Sequence, residues 1–279
     1  MTLPPPPASG VPTPAFFLAG GTGISAETLG IMIIKQFPSV PFNVRKIPFI
    51  TTVERAQEIV VLMDAVRTET VQPLVFSTVA DEAVRAVLQQ TTCAFIDLFG
   101  SHLDTVERVL HVNAAHNVGS IHGVGDQGLY EARMKAIDYA MEHDDAQSVK
   151  KLDQADLILI APSRCGKTPT SMYLALQHGL KVANYPLVEE DFESHQLPAP
   201  IRAYPSKCFG ITSTAARLSQ VRGERRPGSR YASMAQVTYE LRRAETLYAM
   251  HRIPYVSSAS MSVEEMAALI LQSMENGPR

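Results

Sequence analysis

The sequence predicts an α/β protein of mostly parallel sheets flanked by helices, with a Rossmann-like N-terminal half and a P-loop-like C-terminal half. Three observations carry this expectation. Short apolar segments alternate with helix-like ones along most of the 279 residues, the rhythm of βαβ units whose strands are covered on both faces. Two apolar segments run directly into a glycine-bearing loop and then a helix, at "AGGTGISAET" and "APSRCGKTPTS", and open parallel sheets bind ligands at such strand ends. Hydrophobic residues make up 46% and charged ones 19%, enough for a sizeable core and unlike a disordered chain.

Taken in order, the proline-rich "MTLPPPPASGVPTP" (1–14) reads as a disordered tail, with neither the basic start nor the apolar centre of a signal peptide. Strand-like "AFFLAG", "PFNVRKIPFI", "QPLVFSTV" and "CAFIDLF" each precede a helix-like segment. Thr51 with Glu54 three residues on, Ser25 and Asp81 are the expected helix caps. These elements make an N-terminal α/β domain over 15–110. A histidine- and glycine-rich connector that becomes helical fills 111–150. The last domain, 151–279, holds "DLILIAP", "PTSMYLALQHG", "KVANYPLV", "KCFGIT", the long helix "SMAQVTYELRRAETLYAMH", "PYVSSAS" and a final helix opening on Ser262 and Glu265 with capping-box spacing. No repeat is visible between the halves, although each starts with a strand, a glycine-bearing loop and a helix.

The net charge of −3 gives no reason to expect binding to nucleic acid or to a membrane surface. No apolar run reaches the ~18 residues of a membrane helix. The three cysteines, Cys93, Cys165 and Cys208, are isolated, which argues against a disulfide framework or a cysteine zinc site and suits a reducing cytoplasm.

Phosphate chemistry is best supported at "APSRCGKTPTS". The strand delivers the loop to the sheet edge, Gly166 lets backbone approach a phosphate, Lys167 supplies charge, and Thr168 offers a hydroxyl to phosphate or metal. The helix start adds free N–H groups, tolerates Pro169, and has Arg164 nearby as a fork. The alternative is a Gly-Lys-Thr that merely caps a helix after a buried strand. Gly20, Gly21, Thr22 and Gly23 form a second candidate anion loop or an ordinary tight turn. His111, His116 and His122 in the connector could act as acid–base groups or be structural, and no third metal ligand is identifiable. Asp144 and Asp145 could hold Mg²⁺, activate a hydroxyl, or simply be solvated. The arginines of "RLSQVRGERRPGSRYAS" (Arg217, Arg222, Arg225, Arg226, Arg230) could bind an acidic or phosphorylated partner or belong to a solvated loop.

Together "GTGISAETLG", "AHNVGSIHG", "EHDDAQ", "SRCGKTPTSMYLALQHGLKVANYPLV", "RLSQVRGERRPGSRYAS" and "SVEEMAALIL" resemble the bacterial phosphoenolpyruvate synthase regulatory proteins, relatives of the plant pyruvate phosphate dikinase regulatory protein. The resemblance covers nearly everything after the proline-rich tail. It implies a bifunctional regulator that uses ADP to phosphorylate, and so inactivate, a threonine of phosphoenolpyruvate synthase. The same protein would reverse this with inorganic phosphate, releasing pyrophosphate. It also implies that Ala161, Pro162, Ser163, Arg164, Cys165, Gly166, Lys167 and Thr168 form the nucleotide loop, with Lys167 and Thr168 on the β-phosphate. Lys167, Thr168, His122, Asp126 and Asp144 are then the catalytic candidates, the last three as alternative acceptors of the threonine proton. Arg222, Arg225, Arg226 and Arg230 are the candidate partner-binding residues. Mg²⁺ is a candidate cofactor, and a homodimer is compatible with the resemblance. This chain departs from the family pattern at Gly20, where an aspartate is expected, at Ser120, where an arginine is, and at Ala146 and Ala161, where glycines are. It also lacks the aspartate-proline expected after "FGIT". Two other readings follow: a catalytically impaired paralogue that only binds the synthase or a related enzyme, and an ATP-using small-molecule kinase or hydrolase.

Overall fold

A computed structural model describes residues 11–114, 127–193 and 195–276. The chain forms two compact units, Met1–Gly125 and Asp126–Arg279. His116, Ser120, His122 and Asp126 lie outside the described residues.

In the first unit four short strands, β1 (Thr13–Leu18), β2 (Phe42–Ile47), β3 (Leu74–Ser77) and β4 (Ala94–Asp97), alternate with α1 (Ile24–Ile34), α2 (Val53–Asp64), α3 (Glu82–Leu88) and α4 (Gly100–Leu110). All pairings are parallel, in the order β2-β1-β3-β4. β1 is central and buries Ala15, Phe16, Phe17 and Leu18. Edge strand β2 instead exposes Arg45 and Lys46, charges that discourage pairing with another chain. Asp81 caps α3 by accepting from the Val84 N–H at 2.9 Å. The cap of α2 is Thr52, not Thr51, and α1 begins behind Gly23 with no side-chain cap, so Ser25 lies inside its first turn.

The second unit starts with α5 (Gln127–Glu142) and continues through β5 (Leu157–Pro162), α6 (Lys167–His178), β6 (Val182–Leu187), α7 (Glu189–Glu193), β7 (Cys208–Thr212), α8 (Ala215–Arg225), α9 (Met234–His251), β8 (Tyr255–Ser257) and α10 (Val263–Asn276). Its strands are again all parallel, in the order β6-β5-β7-β8. Both sheets therefore share one topology that the residues do not display: the first strand of each unit lies second in its sheet, and the chain reverses direction beside it. Both glycine loops leave such a switch strand, β1 and β5. The arginine-rich segment, open to a loop reading, is helical through Arg225. Ser262 and Glu265 form the expected capping box, with the Ser262 N–H donating to Glu265 Oε2 at 2.8 Å and the Glu265 N–H to Ser262 Oγ at 3.2 Å.

Two buried clusters cover the faces of the second sheet, one around Ile158, Ile160, Leu247 and Tyr248, the other around Leu159, Ala161, Leu174 and Ile270. Tyr248 of α9 is fully buried, with its hydroxyl 2.8 Å from the Ile160 carbonyl and 3.3 Å from that of Ile211. Its ring lies against Gly210, where an added Cβ would stand 2.7 Å from a ring carbon. Gly210→Ala is expected to lower stability by about 1–3 kcal/mol through overpacking, measured by urea unfolding, while leaving the far-ultraviolet spectrum unchanged.

Candidate phosphate-binding site

β5 is buried at all six positions, so it holds the following loop rigidly at the carboxyl edge of the sheet. Ala161 belongs to the buried cluster on one face of that sheet and lacks a positive φ. Its methyl group is therefore core, and the position does not require glycine. The left-handed geometry falls later, at Arg164 (φ +71°) and Gly166 (φ +99°). Gly166 is the N-cap of α6, and its carbonyl accepts from the Thr170 N–H at 3.2 Å and the Thr170 hydroxyl at 2.8 Å. Pro169 sits in the first turn, where its missing N–H costs no helical bond.

Lys167 is only 3% exposed and donates to the carbonyls of Ala161 (3.2 Å) and Pro162 (3.3 Å). Burial pulls its ammonium below the ordinary 10.5, opposed by Cys165, Asp145 and Asp144. Burial also pushes the Cys165 thiol up to about 11, so it is a neutral, packed group and not a nucleophile at neutral pH.

Thr168 donates its hydroxyl to Asp144 Oδ1 at 2.8 Å. Asn184, from β6, donates through Nδ2 to the same carboxylate oxygen and lies 3.0 Å from Thr168 Oγ1. Its own Oδ1 is buried without a partner among the described residues. Asp144 is carried by a 3₁₀ turn, Asp144–Ala146, anchored from both sides. The Asn184 N–H donates to the His143 carbonyl at 3.0 Å. The buried His143 ring meets the carbonyls of Tyr139 (2.8 Å) and Lys150 (2.7 Å) and stacks on Tyr139. Among the described residues no group of three His, Cys, Asp or Glu could hold a metal. Asp144, Thr168 and Asn184 instead offer oxygen atoms, the donor set of a hard cation such as Mg²⁺ that keeps waters and takes phosphate oxygens.

His143 and Asn184 escaped the sequence reading. The available signal was Asn184 itself, a polar residue in the middle of an otherwise apolar strand segment. Asp145 and Ala146 both have positive φ, +48° and +55°, which explains why a glycine suits position 146.

Arg222 departs from its expected role. It is fully buried, inside the fold and not on a partner-facing surface, whereas Arg217, Arg225, Arg226 and Arg230 are exposed. Arg230 pairs with Glu189 at 3.0 Å. Clefts flank the loop on both sides. One of about 300 Å³ is lined by Ser163, Leu187, Tyr231 and Glu240, among others. The other, of about 170 Å³, lies towards β7 and is lined by Arg164, Gly166, Ser213, Arg217 and Ser258, among others.

In the first unit, the Gly21–Gly23 loop is tied by the Phe49 N–H donating to the Gly21 carbonyl at 2.9 Å. Gly20 is buried and Thr22 exposed. The adjacent cation, Lys46, is paired with Glu27 at 2.6 Å. His111 is the exposed, left-handed C-cap of α4.

Ala146→Gly is expected to stabilise the fold by about 0.5–1 kcal/mol, the left-handed penalty less the entropy of glycine, as a raised midpoint in urea. Lys167 gives a pH signature. Between its lowered pKa and 10.5 the unfolded chain keeps a proton that the folded chain has released, so stability should rise with pH across that window. Urea unfolding at stepped alkaline pH should show this slope in the wild type and its loss in Lys167→Met.

A sequence profile described as kinase/pyrophosphorylase matches residues 15–271. Among similar proteins, one from Pseudomonas aeruginosa is 42% identical over 92% of this chain and 94% of its own length. One from Pseudomonas putida is 42% identical over 92% and 95%, and one from Pseudomonas fluorescens 41% over 92% and 95%. Each is named "Putative phosphoenolpyruvate synthase regulatory protein".

Proposed function

Because the chain belongs to the kinase/pyrophosphorylase family, we propose that it regulates phosphoenolpyruvate synthase by phosphotransfer at the loop Ala161–Thr168. In the inactivating direction a threonine hydroxyl of the synthase attacks the β-phosphorus of ADP. The bond from that phosphorus to the bridging oxygen breaks, AMP leaves, and the threonine proton passes to a carboxylate or histidine. In the activating direction an oxygen of inorganic phosphate attacks the phosphothreonine phosphorus, the bond from that phosphorus to the threonine oxygen breaks, the threonine oxygen takes a proton, and the pyrophosphate so formed is released. A single anion site suffices for both, since each reaction moves a phosphoryl group between a threonine oxygen and a phosphate oxygen.

The observation that carries this reading is the convergence of Lys167, Thr168 and Asp144 at the end of β5, with the Asp144 carboxylate 2.8 Å from the Thr168 hydroxyl. Lys167 leaves its carbonyl partners to meet the β-phosphate, and the N-terminal amides of α6 add to its charge. Asp144 takes the proton in this reading, supported by its closeness to Thr168, with His122 and Asp126 as its alternatives. Asp144 and Thr168 would also hold Mg²⁺, which neutralises phosphate charge and aligns the groups. The other loop residues, Pro162, Ser163, Arg164 and Cys165, shape the cradle, while the exposed Arg225, Arg226 and Arg230 suit an acidic surface on the synthase.

Lys167→Ala should stay folded by circular dichroism yet lose calorimetric ADP binding and phosphothreonine formation on the synthase. Retained phosphotransfer would refute the assignment. Preference for ATP, or nucleotide consumption without the synthase, would support a conventional kinase or hydrolase. Complex formation without phosphothreonine would favour a binding-only paralogue.

A further inference from the structure

A buried arginine beside the loop has an arrangement that stability alone does not explain. Arg222, on α8, is 0% exposed and pairs with Glu240 of α9 at 2.6 Å. Its Nη1 donates to the Tyr231 carbonyl at 3.1 Å, and its guanidinium lies 4.3 Å from the centre of the Tyr231 ring. Nε and Nη2 both donate to one acceptor, the Ser163 carbonyl, at 3.2 and 3.0 Å. Buried ion pairs seldom stabilise a fold more than apolar packing would. This one makes four hydrogen bonds through all three of its nitrogens, and two of them end on the first residue after β5. The Tyr231 hydroxyl, 2.9 Å from Ser163 Oγ, holds the same residue a second time.

The consequence follows from peptide geometry. In a trans peptide the carbonyl and the next N–H point in opposite directions. Gripping the Ser163 carbonyl from α8 therefore turns the Arg164 N–H away from α8. It also helps hold Arg164 at φ +71°, a backbone state that a non-glycine residue keeps only when its surroundings impose it. We propose that Arg222 is a positioning residue for phosphotransfer: its fork on the Ser163 carbonyl sets the peptide plane that gives the phosphate loop its anion-binding shape. The proposal rests on the phosphate-loop reading above. Lysine cannot replace arginine here, because a single ammonium lacks the planar fork that serves Ser163, Tyr231 and Glu240 together.

The test compares full-length wild type, Arg222→Lys and Lys167→Ala by thermal melting, hydrogen exchange of the peptide spanning 163–166, and calorimetric titration with ADP and with inorganic phosphate. Arg222→Lys is expected to remain folded, to exchange faster in 163–166 with β5 and α6 unchanged, and to bind ADP about 10- to 100-fold more weakly. With the synthase its kcat should fall while the KM for the synthase stays the same. Lys167→Ala should lose ADP with wild-type exchange in the loop. A folded Arg222→Lys with wild-type exchange and wild-type ADP affinity overturns the inference alone. Wild type that binds neither ADP nor phosphate overturns the phosphate-loop reading and the inference with it. If Arg222→Lys unfolds, Glu240→Gln carries the test: it frees one side of the fork, so faster loop exchange and weaker ADP binding are expected, and wild-type values for both overturn the proposal.

Discussion

The second unit is organised around a cation held where water cannot reach it. Lys167 follows a strand buried at every position, and its ammonium turns back onto the Ala161 and Pro162 carbonyls at that strand's end. Neutral carbonyls compensate the lost hydration incompletely, which is why the ammonium is easier to deprotonate than in water. A phosphate at the same place would supply full negative charge. The loop thus keeps a cation that an anion would satisfy better than these carbonyls do, a preorganised electrostatic arrangement of the kind that favours charge developing in phosphoryl transfer.

Everything near the loop follows from holding it still. On one side the His143 ring and the Asn184 amide fix the turn that carries Asp144, so a carboxylate reaches Thr168 without belonging to the loop. On the other, Arg222 and Tyr231 secure Ser163 from α8 and the turn after it. The acid comes from the segment preceding β5 and the clamp from beyond β7. The loop is stiffened by parts of the chain distant in sequence, and each support is a hydrogen bond to backbone or to a half-buried polar side chain.

The two units share a strand order, and each sends a glycine loop from its switch strand. Their electrostatics differ. Beside Gly23 the nearby cation, Lys46, is paired with Glu27 and more than a third exposed, whereas Lys167 is buried with no carboxylate of the described residues bonded to it. A solvated ion pair has little left to offer an anion. Of two loops of similar composition, the second is therefore the better suited to an anion.

The sequence by itself determined the α/β class, the placement of the strands and the loop most suited to phosphate, because these depend on local features: apolar runs, turn residues and Gly-Lys-Thr after a strand. The capping box at Ser262 was legible for the same reason, since both partners lie within one turn. Tertiary structure decided what composition leaves open. Ala161 is harmless because its methyl group faces the core. Arg222 clamps the loop from inside while its neighbours in the same cluster face solvent. Asn184 bridges Asp144 and Thr168 across 40 and 16 residues of chain. Burial and the aim of a hydrogen bond are set by which elements pack together, so residues of one type in one short segment receive opposite roles that their spacing does not reveal.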